Sequence, residues 1–165
     1  MEYDEATQAA CWVLLPNLGS LAGFYIIKTR HDDVIKRCQL VRNFPGSTSQ
    51  VALWVVFNSA MGYAAYLVFR SGGGLQGPAR PALAVFAAGL GYNWAWPPFF
   101  YAKQKFALAM VDMNMLCGTV ALLAYFYSPI NEQAANIMLP CMAWTLAMAT
   151  FNCRVWRWSR RRPSE

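Results

Sequence analysis

Five long runs of apolar residues, separated by short polar breaks, dominate the chain; they lie near positions 9–27, 51–69, 82–102, 106–127 and 134–156. Each has about the 20 residues that a helix rising 1.5 Å per residue needs to cross roughly 30 Å of hydrocarbon. The runs are apolar on every side, whereas a membrane-spanning strand alternates apolar and polar positions over about ten residues. With no water inside the bilayer, the backbone groups of each run must pair within the run, and helices do that. The predicted fold is all-α, an integral membrane bundle of five transmembrane helices in a single domain over 1–165, with a basic tail at 157–165.

The breaks carry turn chemistry. Asn43-Phe44-Pro45-Gly46-Ser47 precedes the second run, Ser71-Gly72-Gly73-Gly74 with Pro78 and Pro81 the third, and Ser128-Pro129 the fifth. Only Lys103, Gln104 and Lys105 part the third run from the fourth, which predicts a tight connection. Pro16, Pro97-Pro98 and Pro140 fall inside runs; each removes a backbone donor and predicts a kink or local unwinding.

Charge then orients the bundle. The chain is 57% apolar and 13% charged, too few charges to cover a soluble domain. With five crossings, the N-terminal tail and the second and fourth loops share one side, which holds Arg70 and Arg80; the other side takes the remaining twelve of the fourteen Lys and Arg residues. That asymmetry predicts a cytoplasmic C-terminus. The net charge of +6 therefore reads as a topology signal and an anionic-lipid contact, and no nucleic-acid-binding motif accompanies it. The acidic start, MEYDE, differs from the basic segment that opens a signal peptide, so the first run is expected to stay in the mature protein.

The polar inventory is short. Five irregularly spaced cysteines and one histidine, His31, make neither a disulfide framework nor a metal site. Asp112 is the one acid inside an apolar run, with Asn114 two residues on; an intramembrane carboxylate costs about 2.5–3.5 kcal/mol at the bilayer centre, so it should face the bundle interior or a wet cavity. It serves either as a polar anchor for a ligand or as a helix-to-helix hydrogen bond. Trp144 falls near the middle of the fifth run, and Asn93-Trp94-Ala95-Trp96-Pro97-Pro98 joins an amide, two indoles and a prolyl break, a combination that suits a cavity for a flat apolar ligand or plain helix packing. Gly19-x-x-x-Gly23 and Ala84-x-x-x-Ala88 allow close helix approach, inside the bundle or across a homodimer contact. No set of residues for conventional hydrolytic, phosphoryl-transfer or metal chemistry can be assembled, so a binding protein is favoured over an enzyme.

Ser59-Ala60-Met61-Gly62-Tyr63, Asn93-Trp94-Ala95-Trp96-Pro97-Pro98-Phe99-Phe100, Ala109-Met110-Val111-Asp112, and Ala143-Trp144 followed by Asn152 and Val155-Trp156-Arg157 occur in an order and spacing that resemble the translocator protein family, also called the tryptophan-rich sensory protein or peripheral benzodiazepine receptor family. The likeness runs from Pro16 to Arg157. It implies a five-helix bundle, often dimeric, that binds porphyrins, haem-like tetrapyrroles, cholesterol and synthetic isoquinoline or benzodiazepine-type ligands between its helices and handles or transports them. It also implies a place in the mitochondrial outer membrane with the C-terminus cytosolic. Family pocket positions fall on Ile27, Trp54, Asn93, Asp112, Trp144 and Met148. Some relatives degrade porphyrin photochemically with tryptophans matching Trp54 and Trp144, an enzymatic alternative to binding; a scaffold without a small ligand is another. Cofactors and metals are not called for beyond a porphyrin or haem bound as ligand.

Four departures are visible. The first loop reads Val41-Arg42-Asn43-Phe44-Pro45-Gly46 and lacks the family's tryptophan and paired proline. The sterol-recognition region at Asn152, Cys153 and Arg157 has Cys153 where the family pattern has tyrosine. Leu108 replaces an aromatic, and Met148 stands where mammalian members carry a small alanine.

Overall fold

The computed structural model describes residues 4–38 and 45–161, apart from the side chain of Arg37. Its five helices are α1 (Glu5–Cys38), α2 (Ser47–Ser71), α3 (Arg80–Pro97), α4 (Phe106–Tyr127) and α5 (Glu132–Arg161). They close into a ring in the order α1, α2, α5, α4, α3 and back to α1. Helices α1, α2, α4 and α5 are each long and apolar enough to cross a bilayer. The third crossing is an 18-residue α-helix lengthened by a π-helical turn, Pro98–Ala102.

That turn falls at Pro97-Pro98, where the sequence predicts a kink or local unwinding of the third run. Pro97 and Pro98 cannot donate, so the ladder widens and Lys103 N–H reaches back to the Pro98 carbonyl at 2.9 Å, with Lys105 N–H on Phe99 at 2.9 Å. Gln104, at φ 51°, completes the reversal into α4. The other prolines do not interrupt their helices: α1 runs through Pro16 and α5 through Pro140. Pro16 deprives the Trp12 carbonyl of its helical donor, and Gly62 of α2 lies directly against that carbonyl, where any side chain would collide.

Two helices outrun their apolar stretches. At about 1.5 Å per residue, α1 is some 50 Å long and α5 about 45 Å. The polar continuation of α1 stays helical because Ile27, His31, Val34 and Cys38, spaced four, three and four residues apart, form one buried stripe. His31 docks the second helix's entry, its Nε2 3.0 Å from the Pro45 carbonyl oxygen. At the opposite end Arg70 donates to both carboxylate oxygens of Glu5, at 2.9 and 2.6 Å, tying α2 to the start of α1.

A polar seam joins α1, α2 and α3 inside the apolar bundle. Asn93 donates to Asn58 Oδ1 at 2.8 Å, Asn58 donates to Ser20 Oγ at 2.9 Å, and the Ser20 hydroxyl lies 3.2 Å from Asn93 Oδ1. Asn17 donates to Ser59 at 3.1 Å, and Trp94 Nε1 to the Pro16 carbonyl at 3.1 Å. The two glycines considered for a dimer contact belong to this seam. Trp94 lies over Gly19, and a Cβ on Gly23 would sit 2.9 Å from Pro97 Cγ. The Gly19 and Gly23 face is thus covered by α3 of the same chain. Gly19→Val should therefore lower stability by about 1–3 kcal/mol through overpacking, read as a lower midpoint of thermal unfolding in detergent; an unchanged midpoint would mean that Trp94 can leave Gly19 without cost. Ala84 and Ala88, by contrast, are exposed on the outer side of α3.

Candidate ligand site between the second and fifth helices

Aromatic rings from α2, α3 and α5 meet in the bundle. Trp54 stands edge-on to Trp144, centroids 5.9 Å apart at 81°, and edge-on to Phe57 at 5.3 Å. It also lies against Trp96 at 5.6 Å, and Trp96 stacks on Phe100 at 5.1 Å. The column ends at Tyr101, whose hydroxyl donates to Gln50 Oε1 at 2.6 Å. Edge-to-face pairs of this kind add about 0.5–1.5 kcal/mol each beyond area burial.

The three central indoles differ in what they do with their N–H. Trp96, fully buried, donates to Asn152 Oδ1 at 2.9 Å, and the Asn152 amide in turn donates to the Met148 carbonyl at 2.7 Å. Trp54 and Trp144 keep Nε1 buried with no acceptor among the described residues. Asp112, 8% exposed on the inner side of α4, likewise has Oδ2 buried with no donor. Leaving such a group unpaired costs about 1–3 kcal/mol; these three are among six such atoms in the described residues, the others being Asn17 Oδ1, Gln50 Nε2 and the Tyr127 hydroxyl.

Beside Trp144 an apolar groove of about 190 Å³ runs between α2 and α5, walled by Leu53, Val56, Phe57, Pro140, Cys141 and Trp144. Leu53 and Val56 are 41% and 67% exposed, so the groove opens on the outer surface of the bundle, where lipid would lie. The space is apolar and adjoins the paired indoles, which is the usual make-up of a site for a largely hydrophobic ligand.

The residues singled out from the sequence fall into three groups. Trp54 and Trp144 come together, and Ile27 and Met148 are buried at 0% and 1% exposure. Asn93 is drawn into the seam with Asn58 and Ser20, both its amide and its carbonyl in use, and Trp94 turns to α1. Asn152 supports Trp96, Cys153 lies with its sulfur 3.9 Å from Met110 Sδ, and Arg157 is exposed. Sequence reading did not single out Asn58 and Ser20 or the pairing of Trp96 with Asn152. Polar residues inside otherwise apolar runs are the signal that marks the first two. Among the described residues no cluster of His, Cys, Asp and Glu could hold a metal.

A ring of five helices, four of them long and apolar enough to cross a bilayer, defines a multi-pass integral membrane protein. The sequence profile of the TspO/MBR family matches residues 12–157, and the chain belongs to that family. It is similar to the translocator protein of Sus scrofa, 36% identical over 118 residues that make up 68% of this chain and 70% of the relative. It is also similar to the translocator protein of Bos taurus, 30% identical over 95% of this chain and 96% of the relative. Translocator protein 2 of Canis lupus familiaris is 34% identical over 91% of this chain and 88% of the relative.

Proposed function

We propose that the chain binds tetrapyrroles and cholesterol-like lipids between α2, α4 and α5 and handles or transports them, and that it does so in the mitochondrial outer membrane with its C-terminus cytosolic. The observation that carries the reading is the pair of buried indole N–H groups on Trp54 and Trp144 without acceptors. A porphyrin offers carboxylates and ring nitrogens as acceptors and pyrrole N–H groups as donors; a sterol hydroxyl does both. Either would offer the indole N–H groups an acceptor, while its flat body lies on the aromatic walls. Met148 and Ile27 complete the apolar lining in this reading, and Met148, longer than alanine, narrows it for the synthetic ligands. Ala84 and Ala88 offer a second copy of the chain a surface of small residues. Sterol binding at Asn152 and Cys153 is less well supported, since the amide of one is committed to Trp96 and Met148.

The contact between Trp54 and Trp144 favours one further reading, photo-oxidative breakdown of porphyrin at these rings. Titrating the purified protein in detergent with protoporphyrin IX separates the two. Binding gives saturable quenching of tryptophan fluorescence with stable porphyrin absorbance. Breakdown gives absorbance that bleaches under illumination, and Trp144→Phe should stop the bleaching. Absence of saturable quenching removes tetrapyrroles and leaves sterols or a ligand-free scaffold.

A further inference from the structure

The four described arginines at the end of α5 point away from the protein. On a helix advancing about 100° per residue, Arg154, Arg157, Arg160 and Arg161 share an arc of roughly 120°, and all four are exposed. The opposite face carries the buried Met148, Phe151, Asn152 and Val155. Trp156 and Trp158, half-buried, fall on the two borders between these faces, and the Arg160 guanidinium sits 5.4 Å above the Trp156 ring. Indoles at a helix end mark the headgroup level of a bilayer, so the arginines fan outward into that layer.

No described residue neutralises them. None of the four has a carboxylate within ion-pair distance among the described residues, where the ion pairs are His31–Asp32 and Arg70–Glu5. The same end of the bundle carries exposed Lys28, Arg30, Lys36, Lys103 and Lys105, against Asp32 and Asp33. Phe151 against Phe100, and Cys153 beside Met110, fix the end of α5 next to the α3–α4 connection.

We propose that this arginine face is a docking surface for anionic phospholipid headgroups, each guanidinium taking a phosphate or carboxylate in paired hydrogen bonds while Trp156 and Trp158 set its depth. The surface is separate from the groove between α2 and α5 and independent of what binds there. A positive-inside signal needs cations only on one side of the membrane, whereas a single outward arc bordered by indoles is what a headgroup contact requires.

Reconstitution in phosphatidylcholine with brominated lipids tests it, using the part of the tryptophan quenching that Trp156→Phe/Trp158→Phe abolishes. Brominated phosphatidylserine should half-quench the wild type at a mole fraction at least about fivefold lower than brominated phosphatidylcholine, the worth of one such cation near an anionic surface. The quadruple variant Arg154→Gln/Arg157→Gln/Arg160→Gln/Arg161→Gln should show equal quenching by both. In the wild type the preference should shrink as salt rises to about 1 M, where screening acts over roughly 3 Å, a measurement that does not depend on the variant folding. Equal quenching of the wild type by the two lipids would overturn the proposal and leave the arginines to a soluble acidic partner; so would a preference insensitive to both salt and the substitutions.

Discussion

Trp96→Ala should destabilise the ligand-free bundle by about 3–5 kcal/mol, as large aromatic truncations in cores do. Trp96 is fully buried and packs on three rings from two elements: it stacks on Phe100 and meets Tyr101 edge-on at 5.6 Å in the π-helical turn, and touches Trp54 of α2. Its indole N–H is the donor that Asn152 Oδ1 requires. Trp96→Phe separates the two contributions. It keeps most of the ring contact and orphans the Asn152 carbonyl, which should cost about 1–3 kcal/mol. Adding Asn152→Leu should return part of that loss, because removing both partners of a buried hydrogen bond is far cheaper than removing one. Unfolding in detergent followed by circular dichroism reads all three. A Trp96→Phe variant as stable as the wild type would show that the Asn152 bond contributes nothing net.

Trp144→Phe should behave in the opposite way. Its N–H has no acceptor, so losing it removes an unpaired buried donor, and the ligand-free variant should be as stable as the wild type or more stable. Its cost should fall on binding instead. A lost hydrogen bond of about 1 kcal/mol lowers affinity roughly fivefold, and Trp54→Phe should do the same. The contrast with Trp96 is the useful result, because a single substitution type at neighbouring indoles separates rings that hold the fold from rings that await a ligand. Equal destabilisation by Trp96→Phe and Trp144→Phe would remove that distinction.

How much of this was legible in the sequence depends on the range of the interaction. The five helices follow from run length, since each apolar run must close its own hydrogen bonds in a bilayer. Their ends were less visible. Hydropathy stops at position 27, yet α1 continues to Cys38 on the buried stripe of Ile27, His31, Val34 and Cys38, a 3.6-residue period inside a polar segment. The π-helical turn was visible as a prolyl break at Pro97-Pro98 but not as a particular geometry. In the site, the pairing of Trp54 with Trp144 came through resemblance, because residues in helices so far apart along the chain carry no spacing signal. The bond from Trp96 to Asn152 spans 56 positions and was hidden for the same reason. Resemblance to the family places Asn93 in the ligand pocket; in the structure its amide and carbonyl are taken up by Asn58 and Ser20. Likewise the glycines of α1 signalled close approach without saying to what, and the approaching group is the Trp94 ring.

The most direct measurement of the central claim is the indole N–H spectrum of nitrogen-15-labelled protein in detergent, with Trp54, Trp96 and Trp144 assigned through their Phe variants. On adding protoporphyrin IX, the Trp54 and Trp144 resonances should move saturably toward the positions of hydrogen-bonded indoles, while Trp96, already bonded to Asn152, holds its place. Unmoved Trp54 and Trp144 resonances at a porphyrin concentration that quenches fluorescence to saturation would contradict a site at these two residues.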